Sequence, residues 1–257
     1  MTNKIYISED ETPNQSKEKN EPKIAFDKNS NTTKLIEVTH PLIEVFKPEE
    51  NNNNGKAILI CPGGSYKILA LDKEGTEPAL WLNTLGYTAY VLQYRVPDNI
   101  EGAFNDVQNA FKIIKNKFNH TKVGVLGFSA GAHLCARLST CFSKVSKTNE
   151  NEIDAEQYKL DFSLLIYPAY LDLGENKSIS PNLLQDKNVP PIFIFGTEDD
   201  AYFNSVLTFA NYLKLLKSNF ELQTLTSGGH GYGLRKGNKA AETWPSLVEK
   251  WLNSITE

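Results

Sequence analysis

The sequence predicts an α/β fold, a mostly parallel, doubly wound sheet of about eight strands flanked by helices. Three observations carry that expectation. Short, almost wholly apolar runs of strand-forming residues recur along the chain, and strands so uniform are buried on both faces, as in parallel sheets. Segments with apolar residues at helical spacing lie between them, so strand and helix alternate through right-handed crossovers. At Gly127-Phe128-Ser129-Ala130-Gly131 one such run turns directly into a helical segment, with a serine held between two glycines.

Residues 1–33 are polar, rich in Asn, Lys, Glu and Ser, and read as a mobile or surface-draped arm. Residues 34–257 read as one domain. From Lys34 to Lys47, Leu35, Ile36, Val38, Leu42, Ile43, Val45 and Phe46 predict two short strands broken at His40-Pro41. Glu49–Gly55, with four consecutive asparagines, is a turn. Strands are then expected at Ala57–Cys61, Thr88–Gln93, Lys122–Leu126, Phe162–Tyr167, Pro191–Phe195 and Glu221–Leu225. Helices are expected at Thr76–Leu85, Ala103–Phe118, Ala130–Phe142, Ser205–Lys217 and Ala240–Ile255. In the second of these, Val107, Ala110, Phe111, Ile114 and Phe118 recur at helical spacing. Ser143–Leu160 is polar and charged and reads as an insertion over one edge of the sheet.

The bulk properties exclude several classes. Of 257 residues, 40% are apolar and 23% charged, ordinary for a globular protein. A formal charge of −4 and a pI near 5.7 give no basic footprint for nucleic acid. No apolar run reaches membrane-span length, so no membrane partner is expected. The N-terminus, Met1–Asp10, has no apolar signal core, which points to the cytoplasm; the alternative is an exported protein whose signal is absent from this sequence. Three cysteines, Cys61, Cys135 and Cys141, make no disulfide framework and read as buried free thiols. No His/Cys/Asp spacing suggests a metal, and no phosphate loop is present, so no cofactor is expected.

In open α/β sheets ligands bind beyond the carboxyl ends of the strands, and each chemically useful group falls at such an end. Ser129 follows Lys122–Leu126 in a nucleophile elbow, where a strand turns sharply into a helix and exposes the serine in a strained conformation. Asp199 and Asp200 follow Pro191–Phe195, and His230 follows Glu221–Leu225 in Gly228-Gly229-His230-Gly231. A serine hydroxyl is a poor nucleophile until an imidazole takes its proton. The imidazole needs a carboxylate on its other nitrogen to fix its tautomer and steady the imidazolium. The resulting oxyanion needs preorganised N–H donors, each worth about 2.7–4 kcal/mol in a comparable hydrolase. Ala130 N–H is the first candidate donor. The loop Pro62-Gly63-Gly64-Ser65-Tyr66 supplies the others, at Gly64 and Ser65.

With Gly-Phe-Ser-Ala-Gly-Ala-His-Leu at 127–134, the Cys61–Tyr66 loop and Gly228–Gly231, the chain resembles the α/β-hydrolases of the bacterial esterase/lipase group. More closely, it resembles those known as xylan or sugar acetyl esterases. Further matches are Glu74-Gly75, Ala79–Asn83, Gly86-Tyr87, Tyr94-Arg95-Val96, Asp161-Phe162, Tyr167–Tyr170, Pro190-Pro191 and Trp244-Pro245. The resemblance spans about residues 34–257 and implies an α/β-hydrolase catalytic domain there. It implies a serine carboxylesterase for short-chain, acetyl-type esters of sugars or xylo-oligosaccharides. Two departures stand out. Ser65 replaces the family's third glycine, which would narrow the oxyanion loop or add a hydroxyl contact. Ala201-Tyr202-Phe203 replaces a Val-Pro pair after the acid. Counting from Pro190-Pro191 puts the family's acid at Asp200, whereas anchoring on Gly-Thr-x-Asp puts it at Asp199; Asp200 is preferred.

Other residues have plainer readings. His133, one turn beyond Ser129, packs under the elbow, and His40 and His120 are loop residues. Asp72 and Glu74 cap or solvate the next helix rather than meet a sugar, and Asp106 is a hydrogen-bonding residue at a buried edge. Tyr66 either lines the acyl site as a substrate contact or packs as an aromatic. The rivals are a peptidase or other acyl hydrolase on the same fold, and a non-catalytic binding protein. A long-chain lipase is disfavoured because Ser143–Leu160 is too polar for a lid. Self-association into a homo-oligomer is left open.

Overall fold

The computed structural model describes residues 3–7, 20–140, 159–183 and 189–256. Cys141 and nearly all of the predicted insertion, residues 143–158, lie outside them. The strands are β1 (Asn3–Tyr6), β2 (Lys23–Asp27), β3 (Thr32–Glu37), β4 (Leu42–Phe46), β5 (Ala57–Cys61), β6 (Leu69–Ala70), β7 (Thr88–Gln93), β8 (Val123–Phe128), β9 (Ser163–Ile166), β10 (Ile192–Thr197) and β11 (Phe220–Leu225). The α-helices are α1 (Glu77–Thr84), α2 (Ile100–Lys117), α3 (Ala130–Thr140), α4 (Phe203–Leu215) and α5 (Lys239–Thr256).

Eight strands form one sheet in the order β1-β4-β7-β5-β8-β9-β10-β11. From β7 to β11 every pairing is parallel, and β4 and β1 continue the sheet antiparallel. The parallel strands β5, β7, β8, β9 and β10 are buried along their whole length, which is why their sequences show no alternation. Their faces still divide the core. Leu59, Tyr90, Leu92, Val125, Leu165, Ile192 and Ile194 pack with α2, α3 and α4. Ile58, Ile60, Val91, Leu126, Leu164, Phe193 and Phe195 pack with α1 and α5. Trp244 of α5 is fully buried and its Nε1–H donates to Gly233 O at 2.8 Å. An aromatic so placed costs about 3–5 kcal/mol on truncation.

Several elements differ from the sequence expectation. Within 1–33, the described residues 3–7 and 20–33 contribute strands: β1 is an edge strand on β4, and β2 pairs with β3 in a second, three-stranded sheet, β2-β3-β6. The break at His40-Pro41 separates β3 and β4 into different sheets. α2 starts three residues earlier than expected because Asn99 caps it, accepting the Gly102 N–H at 2.9 Å. The helix expected from Thr76 is preceded by a π-helical turn, Asp72–Thr76. β8 runs to Phe128, so the strand ends on the residue before Ser129.

Candidate active site

The crossovers bring the ends of β5, β8, β10 and β11 to one edge of the sheet, and the predicted residues meet there. Ser129 has φ +52°, outside the range a non-glycine residue adopts without cost. The elbow is closed by contact: a Cβ on Gly131 would collide with the Cys61 carbonyl oxygen, and one on Gly127 would come within 2.5 Å of Ala132 Cα. Ser129 N–H donates to Ile166 O at 3.1 Å, and Ser129 O accepts the His133 and Ala169 amides at 3.2 and 3.3 Å. These bonds hold the strained turn in place.

Ser129 Oγ lies 2.7 Å from His230 Nε2, and His230 Nδ1 lies 2.6 Å from Asp200 Oδ2. A carboxylate only accepts, so Nδ1–H donates to Asp200 and leaves the Nε2 lone pair for the Ser129 hydroxyl. The Asp200 side chain is 1% exposed and that of His230 28%. Asp200 Oδ1 accepts the Tyr202 N–H at 2.9 Å. The His230 ring is flanked by Tyr167 at 5.0 Å and Tyr202 at 4.9 Å between centroids. Asp199 is exposed and takes different partners, the Gly228 and Gly229 amides at 3.1 and 2.9 Å. Those two N–H groups lower its pKa. Asp200 meets the imidazole; Asp199 meets the backbone that carries it.

The loop after β5 lies against the elbow: a Cβ on Gly63 would be 2.9 Å from Ser129 Cβ. Gly64 O accepts the Lys67 and Ile68 amides at 3.0 and 3.1 Å, a tight turn. Among the described residues, the amides of Gly64, Ser65 and Ala130 have no hydrogen-bond acceptor. Ser65 is exposed and has φ +59°, where glycine would cost less. Tyr66 is buried, with its hydroxyl oxygen 2.6 Å from His133 Nδ1 and its ring stacked on Tyr170 at 6.2 Å. Its ring also meets Tyr94 and His133, and its carbonyl accepts the Asp98 N–H at 2.8 Å. His133 is buried beneath that loop, and desolvation first, then Arg137, pushes its pKa down to about 4.

Two buried groups escape a reading of the sequence. Glu74 is not a solvated capping residue: it is 3% exposed and accepts hydrogen bonds from Gly63 N–H and Tyr167 O–H. Tyr167, fully buried at φ +39°, reaches both Glu74 and the His230 loop. The only signals in the sequence are the pairs Glu74-Gly75 and Tyr167-Pro168. Asp106, fully buried, forms a paired contact with Arg95, the shortest at 2.6 Å. Among the described residues no group of three His, Cys, Asp or Glu side chains is placed to hold a metal ion, and no helix is long and apolar enough to cross a membrane.

A family model described as serine hydrolase (FSH1) matches residues 61–227. An acetylxylan esterase of Xylanibacter ruminicola is 27% identical over 241 residues, covering 82% of this chain and 47% of that protein. A second curated relative is covered over 32% of its length, so the chain spans about half or less of the curated relatives it matches. An acetyl ester-xyloside bifunctional hydrolase from Caldicellulosiruptor lactoaceticus superposes with a TM-score of 0.71 at 29% identity, over 84% of this chain and 89% of that one. MGS-M1, an α/β-hydrolase enzyme from a Medee basin deep-sea metagenome library, superposes with a TM-score of 0.67 at 26% identity, over 84% and 92%.

Proposed function

We propose, from the premise that this chain belongs to the serine hydrolase (FSH1) family, that it is a carboxylesterase for short-chain, acetyl-type esters of sugars or xylo-oligosaccharides. The observation that carries the reaction is the hydrogen-bonded line from Ser129 Oγ through His230 to Asp200, with both links under 3 Å. Ser129 Oγ attacks the acyl carbonyl as His230 Nε2 takes its proton. Asp200 holds the ring and steadies the imidazolium. The amides of Gly64, Ser65 and Ala130 receive the oxyanion. His230 then returns the proton to the departing alcohol, and a water activated by the same nitrogen releases the acyl group. The sugar alcohol is supported by the relatives, whose names specify acetylxylan and an acetyl ester-xyloside.

The test is turnover of p-nitrophenyl esters of graded acyl length and of acetylated xylo-oligosaccharides, by the wild type and by Ser129→Ala. Acetate should be the preferred acyl group, and Ser129→Ala should lower kcat by about 10⁶-fold with an unchanged fold. Retained activity in that variant removes Ser129 as nucleophile. Preference for long acyl chains or for aminoacyl amides removes the acetylesterase reading.

A further inference from the structure

Glu74 is a buried carboxyl for which the reaction above has no use. It sits in the π-helical turn Asp72–Thr76 that leads into α1, and such turns are frequent at functional sites. A carboxyl this buried costs stability unless it is well hydrogen-bonded. Its two oxygens serve two different loops. Oε2 accepts the Gly63 N–H at 2.8 Å, and Oε1 accepts the Tyr167 O–H at 2.9 Å. The Tyr167 oxygen in turn accepts the Gly233 N–H at 3.1 Å, while its ring lies 5.0 Å from that of His230.

Gly63 opens the loop carrying Gly64 and Ser65, and Gly233 closes the loop carrying His230. A Cβ on Gly63 would be 2.6 Å from Glu74 Oε2 and 2.9 Å from Ser129 Cβ, so this anchor lies directly beside the nucleophile. We propose that Glu74 is a positioning residue of the active site. Through Gly63, and through Tyr167 to Gly233, it holds the oxyanion loop and the histidine loop in register across Ser129. The assignment of those loops rests on the esterase reading above. A carboxylate suits the position because both of its oxygens accept, and both partners are donors. Committing the Gly63 N–H to Glu74 also leaves the amides that follow it for the oxyanion. Burial raises the Glu74 pKa, against the hydrogen bonds from Tyr167 and Gly63. The fold therefore keeps an unfavourable group that serves both loops.

Glu74→Ala, Glu74→Gln and Tyr167→Phe in the whole chain test this. The readouts are the rate of covalent labelling by a fluorophosphonate, kcat and KM on p-nitrophenyl acetate, and the melting temperature. Glu74→Ala should slow labelling and kcat by about 10–100-fold with KM within about twofold. Glu74→Gln keeps an acceptor for the Gly63 N–H but turns an amide donor toward the Tyr167 O–H, and should recover only the part of the loss carried by the Gly63 arm. Tyr167→Phe should give a smaller loss that is not additive with Glu74→Ala. A folded Glu74→Ala enzyme that labels and turns over within about twofold of wild type overturns the proposal. So does a loss fully explained by a smaller folded fraction. If Glu74→Ala does not fold, Tyr167→Phe, which cuts one arm, decides by the same readouts. Labelling needs only an activated serine. A wild type that labels but spares acetyl esters therefore defeats the substrate reading, and the labelling rates still decide the role of Glu74.

Discussion

Asp199 and Asp200 carry the same side chain in adjacent positions, and the turn after β10 sends them to separate partners. The buried Asp200 faces His230 Nδ1, and the exposed Asp199 ties down the backbone at Gly228 and Gly229. Replacing each with asparagine should separate the two tasks. Asp200→Asn keeps the shape but offers an N–H or a weaker acceptor to Nδ1, favouring the wrong tautomer, and should lower kcat by about 10⁴-fold. Asp199→Asn weakens only backbone anchoring and should cost about tenfold or less, an effect of loop placement. Steady-state kinetics on p-nitrophenyl acetate checks both, and a larger loss at Asp199 would exchange the roles. The sequence places both aspartates at a strand end but cannot say which one the imidazole meets, because that depends on turn dihedrals. Ser129 and His230 are more legible, since their glycine-rich turns are written locally. Glu74 is not: a carboxylate before a helix reads as a solvated cap, and only the burial made by distant Tyr167 and Gly233 gives it another task.

At the scale of elements, uniform apolar runs forecast β5, β7, β8, β9 and β10, because burial on both faces leaves its mark on every residue. The half-buried strands are harder to read. β1 is short, and it is a strand because β4 offers it an edge, a tertiary cause with no local signature, whereas β2 pairs with β3 across the turn at residues 28–31. Besides its pairing with β6, the β2–β3 hairpin is tied down by a side chain from beyond the histidine loop and by a backbone contact to the π-helical turn. Arg235 Nη2 donates to Glu77 Oε1 at 2.8 Å, at the start of α1, and Nη1 donates to Ser30 O at 3.0 Å in the hairpin turn. Thr33 N–H donates to Asp72 Oδ2 at 2.8 Å, docking the hairpin on the π-helical turn. Arg235→Ala should destabilise the protein by about 1–2 kcal/mol, as a half-buried hydrogen-bonded charge does when removed. It should also speed amide exchange at Thr33 and its neighbours before the central sheet responds. Exchange that rises evenly over the molecule would show that the hairpin is held by other means.

For the whole molecule, the elements meet around buried polar groups whose protonation links local geometry to global stability. His133 joins α3, the loop after β5 and the short helical turn Pro181–Leu183: its Nδ1 is 2.6 Å from Tyr66 Oη and its Nε2 3.3 Å from Asn182 Nδ2. Desolvation holds its pKa at about 4 in the fold, against an ordinary 6.5. Between those values the unfolded chain binds a proton that the folded protein refuses. The stability His133 contributes is therefore complete above pH 6.5 and is lost as pH falls to about 4, by about 3 kcal/mol. Glu74 acts in the opposite sense. Burial raises its folded pKa, so the cost of its buried charge eases as the solution is acidified. Glu74 thus offsets part of the His133 loss, while Asp199, whose pKa the Gly229 and Gly228 amides lower, adds to it. Urea unfolding at pH 7, 5.5 and 4 should show stability falling with acid in the wild type. In His133→Asn the same curve should be flatter by about 2–3 kcal/mol, from a lower starting stability at pH 7. In Glu74→Gln, which removes the opposing group, the fall should be steeper than in wild type. Parallel curves for wild type and His133→Asn would mean that the acid sensitivity of the fold arises elsewhere.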